Sequence, residues 1–159
     1  MRIKSVLQVR ILYGVLISLL MIVVSCVEKN GYYEPAEQTI IDNLTKNKSW
    51  ERSYHAKLDN GEELDIQERW TFNSNGNGSC ENITTYATGN VEENVTYFHW
   101  AFSTPDFSVI YMDYELFWEI EELTSDKLRI YETYKDPVTV PGQSYRDYQQ
   151  YEAVILNYN

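Results

Sequence analysis

The chain has 159 residues, 43% hydrophobic and 14% aromatic, with 24 acidic against 13 basic residues and a formal charge of −11. So acidic a chain lacks the basic footprint from which nucleic-acid binding starts, and nucleic-acid partners are excluded. The same charge disfavours contact with anionic lipid head groups, so any attachment to a membrane needs an anchor of its own.

The sequence supplies a candidate for that anchor. Arg2, Lys4 and Arg10 precede an apolar run, "ILYGVLISLLMIVVS", that ends on a small residue; this is the layout of an export signal over residues 1–25. A spanning helix needs about 20 apolar residues. The run from Ile11 to Val27 is shorter, carries Gly14, Ser18 and Ser25, and meets Glu28 and Lys29 at once. The order Val23-Val24-Ser25-Cys26 resembles the lipobox of bacterial lipoproteins, in which cleavage precedes the cysteine and its sulfur and new amino group are acylated. The resemblance implies lipidation at Cys26, attachment to the membrane through that anchor, and a place in the bacterial cell envelope, at the outer membrane. More than one acyl chain on one residue meets the requirement of two apolar signals for stable anchoring. An ordinary secretory signal and a retained signal anchor are the competing readings. Cleavage would remove three basic residues and no acidic one, leaving 10 basic against 24 acidic residues and a formal charge of −14.

With Cys26 acylated, Cys80 has no partner for an intramolecular disulfide. Its surroundings, "GNGSCENIT", contain no cation to activate a thiol, which points to a buried strand residue.

Residues 26–34 read as a polar tether. Pro35 is suited to the first turn of a short helix over 35–48, with Ile40, Ile41 and Leu44 on one face and Lys46 and Lys48 at its negative end. From residue 49 to the end the pattern has period two. "SWERSYHAKL" places Trp50, Arg52, Tyr54, Ala56 and Leu58 on one face, and Asn60-Gly61 turns the chain. "LDIQERWTF" sets Ile66, Trp70 and Phe72 against Gln67 and Arg69. Asn75-Gly76 offers the positive φ angles of a tight hairpin. "CENITTYAT" returns, "GNVEEN" turns again, and "VTYFHWAF" points Phe98, Trp100 and Phe102 inward. "FSVIYMD" and "ELFWEIEEL" follow, the second setting Leu116, Trp118 and Ile120 against Phe117, Glu119 and Glu121. "KLRIYETY" then sets Leu128, Ile130 and Tyr134 against Arg129, Tyr131 and Thr133. The loop "KDPVTVPGQS" leads to a last strand, "YRDYQQYEAVIL".

Eight short strands joined by tight turns, with no helix long enough for a crossover, predict an all-β, eight-stranded antiparallel up-and-down barrel over 49–159. Such a barrel is either filled by side chains or holds one small ligand. The stretches "NLTKNKSW", "ERWTFNSNGNGS", "FHWAF" and "FWEIEELTSDKLRIYE" resemble the small lipocalin-like lipoproteins of Bacteroidetes, from about Asn43 to Glu132. The resemblance implies a lipocalin-like barrel on a lipid tether, with no catalytic residues to carry over.

Nothing in the pattern points to an enzyme, a metal or a cofactor. Glu119 and Glu121 lie two apart on one strand, a separation that paired carboxylates use in sugar hydrolysis but that any solvated strand face also provides. His55 and His99 stand alone without ligand spacing. Asn43, Asn47, Asn77, Asn82 and Asn94 head N-x-S/T triplets, which beside a bacterial lipobox are a by-product of Asn and Thr richness. The late tyrosines, Tyr111, Tyr114, Tyr131, Tyr134, Tyr145, Tyr148 and Tyr151, suit a barrel wall, a ligand mouth or a protein contact. Two functions lead, with enzyme activity a minor third: a carrier whose interior residues Trp70, Phe98, Trp100 and Trp118 touch a small apolar, amphipathic or sugar-like ligand, and a filled structural or protein-interaction module of the envelope.

Overall fold

Three of the connections between strands are copies of one turn. Leu58–Glu62, Asn73–Asn77 and Tyr86–Asn90 each close with the amide of the first residue donating to the carbonyl of the fifth, at 2.8 to 2.9 Å. In each, the amide of a glycine in fourth place also donates to the first carbonyl. Those glycines, Gly61, Gly76 and Gly89, have φ between 82° and 87°. This is the three-residue hairpin loop in which one residue must be left-handed, a conformation open to glycine at little cost. The tight hairpin expected at Asn75-Gly76 is present, with three loop residues and the positive φ at the glycine. Among the described residues only Phe107 and Glu115 are non-glycine positions with positive φ, so Gly76 alone carries the left-handed step.

The computed structural model describes residues 35–46 and 48–156. The expected signal over 1–25, the tether over 26–34 and Cys26 itself lie outside the described residues. Helix α1 (Pro35–Thr45) is followed by strands β1 (Lys48–Lys57), β2 (Glu63–Phe72), β3 (Asn77–Tyr86), β4 (Val91–Phe102), β5 (Val109–Met112), β6 (Leu116–Leu123), β7 (Lys127–Thr133) and β8 (Asp147–Ile155). A single 3₁₀ turn, Asp113–Glu115, joins β5 to β6. Every strand pairs antiparallel with its neighbour in sequence, and β8 returns to β1 to close the barrel. Trp50 pairs with Trp70 on one side and with Ala153 on the other.

Some bounds differ from the sequence expectation. The helix stops at Thr45 rather than at residue 48, because Lys48 already pairs with Ile155 in the sheet. Strand β4 begins at Val91, since β3 keeps pairing down to Thr85 opposite Val91. Strand β5 is only four residues long, flanked by the positive φ of Phe107 and Glu115, which a continuous strand cannot contain.

Side chains alternate across the wall and fill one end of the barrel. There Leu44, Trp50, Phe72, Ile110, Leu128 and Ile130 are fully buried. Helix α1 closes this end with Ile41 and Leu44, and the Trp50 indole N–H donates to the Leu44 carbonyl at 2.9 Å. Gly78 faces the interior directly under Phe98: a Cβ there would lie 2.4 Å from the ring and 2.8 Å from the Thr71 carbonyl. Only glycine lets the ring settle on the strand.

Candidate functional site

The other end of the barrel is built differently. The inward faces of β1 and β2 bring Arg52 opposite Glu68, and those of β7 and β8 bring Glu132 opposite Asp147. Charges in such positions stay in place only when paired or hydrogen-bonded. Arg52 is paired: its Nε and Nη2 donate to the two carboxylate oxygens of Glu68 at 2.7 and 2.9 Å. The Tyr54 hydroxyl adds a third bond to Glu68 at 2.9 Å, and the Tyr151 hydroxyl sits between Gln149 and Glu68, 3.3 Å from the latter. The guanidinium also lies over the rings of Tyr54 and Tyr151. Burial pushes the Glu68 carboxyl up, but the hydrogen bonds and charge of Arg52 outweigh it and hold the group below its ordinary range.

Glu132 has no such neutralising partner. Its contacts are two neutral donors, the Trp118 indole N–H at 3.2 Å and the Tyr145 hydroxyl at 3.4 Å. Burial raises its pKa, and the Trp118 hydrogen bond and the charge of Arg52 offset that only in part. Cys80, buried on β3 as expected for a structural thiol, is pushed up to about 12 by burial and then by the charge of Glu68.

Between these groups lies a cavity of about 360 Å³ lined by Arg52, Glu68, Cys80, Asn82 and Glu132 on its polar side and by Trp70, Phe98, Met112, Leu116 and Tyr134 on its apolar side. Its size falls at the low end of ligand pockets, about 300 to 1,000 Å³. Because β5 pairs only with Trp100 to Phe102 of β4, the stretch of β4 from Val91 to His99 lacks a strand partner on that side among the described residues. Thr96 and Phe98 on one bank of this gap, and Asp113 and Leu116 on the other, line the cavity. Asp113 pins the gap's inner corner by accepting the His99 amide at 2.8 Å and lying 3.0 Å from the His99 ring. At the barrel mouth the loop between β7 and β8 folds Tyr145 onto Tyr134, rings 4.6 Å apart.

The four aromatic candidates divide. Trp70 and Phe98, 5.4 Å apart, line the cavity. Trp118 stands behind them, 4.7 Å from Trp70 and stacked on Tyr151, reaching the site through Glu132. Trp100 is directed to the closed end, where its indole N–H donates to the carbonyls of Asn73 and Asn77 at 3.1 Å each. Phe72 joins the two groups, within 5.6 Å of Phe98, Trp100 and Trp118, and is buried behind the cavity's aromatic wall.

Glu68 and Glu132 are site residues that the sequence expectation omits, although a signal for them exists. Glu68 falls between Ile66 and Trp70, and Glu132 between Ile130 and Tyr134, on faces otherwise read as inward. A lone charge within an apolar alternating face is the mark of a polar interior.

Other candidates lie outside the cavity. Glu119 is ion-paired with Arg146 at 3.0 Å on the outer wall, and Glu121 is exposed where β6 shifts register. His55 pairs with Asp65 on the outer face. Among the described residues no three His, Cys, Asp or Glu side chains converge as a metal ligand set, and no helix is long and apolar enough to cross a membrane. Set beside family models, curated proteins and solved structures, the chain matches none of them.

Proposed function

We propose that this chain is a lipid-anchored, lipocalin-like binding protein of the bacterial cell envelope, which holds one small amphipathic molecule in its barrel and catalyses no reaction. The observation that carries the reading is the cavity of about 360 Å³, with Trp70 and Phe98 on its aromatic wall, a polar wall opposite and a lateral opening between β4 and the 3₁₀ turn. A cavity with apolar walls and a few convergent polar groups is the ordinary form of a small-ligand site. The lipocalin likeness and the lipobox support the tether and the location.

The test is intrinsic fluorescence of the full chain, whose four tryptophans all lie in the barrel. Small amphiphiles should change the emission saturably. Trp70→Ala should weaken that response, and Trp100→Ala should lower stability by about 3 to 5 kcal/mol without removing it. No saturable change with any alkyl amine, alcohol, fatty acid or monosaccharide would leave the second reading, a protein-interaction module. That reading draws on the outer face of β4, where Val91, Val95 and Tyr97 are exposed, Tyr97 by 77%. For the anchor, Cys26→Ala should move the protein out of the detergent phase; equal partitioning would identify residues 11–24 as a retained span.

A further inference from the structure

We infer that the ligand is an amphipathic amine, its ammonium group set against Glu132 and its apolar part against Trp70 and Phe98. This rests on the ligand-binding reading above and gives that ligand a charge.

Charge balance in the cavity leads to the inference. Three carboxylates line it, those of Glu68, Asp113 and Glu132, against one guanidinium, that of Arg52. The guanidinium's charge is paired with Glu68 through two hydrogen bonds, and it lies over the rings of Tyr54 and Tyr151, so the balance left in the cavity is negative. Asp113 is held by the amide and ring of His99. Glu132 remains, and among the described residues no lysine, arginine or histidine lies within ion-pair distance of it. A half-buried carboxylate with two neutral donors is incompletely compensated. An ammonium group, with three N–H donors and a positive charge, supplies what is missing.

Alternative head groups fit less well. A fatty-acid carboxylate entering the cavity would meet three like charges, with the charge of the one cation already balanced by Glu68. A neutral alcohol could hydrogen-bond to Glu132 but would leave its charge unmatched. The volume limits the size of the molecule: about 360 Å³ equals roughly a dozen waters at about 30 Å³ each, which admits a short alkyl or aryl amine. The acidity of the whole chain steers cations toward it as well.

The experiment titrates three probes of matched length, octylamine, octanol and octanoate, into the full chain and follows tryptophan fluorescence. Octylamine should bind at least tenfold more tightly than octanol, and octanoate most weakly. Glu132→Gln, which keeps the side chain's shape and its acceptor oxygen for Trp118, should weaken octylamine at least tenfold and leave octanol unchanged. Glu121→Gln, on the exposed wall, should leave octylamine unchanged and so separate a specific counter-ion from general acidity. Equal binding of amine and alcohol, preference for octanoate, or an indifferent Glu132→Gln would overturn the amine assignment while leaving a ligand-binding barrel intact. If none of the three probes binds, the amine assignment falls, and the ligand-binding reading falls with it unless a monosaccharide binds.

Discussion

Two tryptophans at each end of the same barrel make opposite kinds of bond. At the closed end the indole N–H groups of Trp50 and Trp100 donate to backbone carbonyls, those of Leu44, Asn73 and Asn77. At the open end those of Trp118 and Trp70 point at carboxylates, Glu132 at 3.2 Å and Glu68 at 3.5 Å. The first pair ties the helix and a hairpin to the core. The second holds charges in place around a space. One residue type in one fold thus acts as a structural tie where its partner is the chain itself, and as a site wall where its partner is ionisable.

That contrast can be broken at either end. The largest effect is expected at the closed end, where Trp50→Ala removes a fully buried indole and the tie to α1. Chemical denaturation should show a loss of about 3 to 5 kcal/mol, with ligand response at the other end retained in the folded fraction. At the open end, Arg52→Met strands the Glu68 carboxylate and should cost about 3 kcal/mol. Adding Glu68→Leu to it should recover most of that loss, because removing both partners of a buried pair leaves no unmatched charge. No recovery in the double variant would show that the pair is not the reason for the cost.

Gly78→Ala probes the boundary between the two halves. Its added methyl meets the Phe98 ring and the Thr71 carbonyl, and the strain should cost about 1 to 3 kcal/mol. Since Phe98 also lines the cavity, this variant should perturb ligand affinity, whereas Trp50→Ala should not.

The most diagnostic effect is one whose sign reverses between two carboxylates. Glu68 has a folded pKa below its unfolded value, so it contributes stability above the unfolded pKa that is lost as pH falls through the folded one. Glu132 has a folded pKa above its unfolded value, so its charged form opposes folding at neutral pH, and that penalty disappears as pH falls to the unfolded pKa. Glu68→Gln should therefore lower the denaturation midpoint at pH 7 and Glu132→Gln should raise it. The Glu132 difference should vanish as pH falls to about 4, near the ordinary value for glutamate, whereas the Glu68 difference should only begin to shrink there and vanish below it. A destabilised Glu132→Gln at pH 7 would mean that Glu132 is already neutralised.

Much of the closed end was legible in the sequence. The alternation of Trp50, Phe72, Trp100 and Leu128 with polar neighbours specified their facing, and glycine in the turns specified the hairpins. The open end was legible only in part. Arg52 shares a face with Trp50 and Tyr54, but its partner Glu68 does not stand out in the sequence, because an alternating face is ordinarily scored by its apolar members. The gap beside β4 could not be read at all, since it depends on β5 stopping at Met112 and on the backbone of Glu115 turning to positive φ. Nor could the division of the tryptophans, because which ring meets the cavity is set by the stagger of neighbouring strands and not by the parity within one.

The most direct test of the division is an NMR titration of the four indole N–H resonances with octylamine, all four reporting from the barrel. The Trp70 and Trp118 resonances should shift together and saturably while those of Trp50 and Trp100 stay in place. Shifts at Trp50 or Trp100 as large as those at Trp70 and Trp118, or no saturable shift at any of the four, would contradict a barrel filled at one end and built for a ligand at the other.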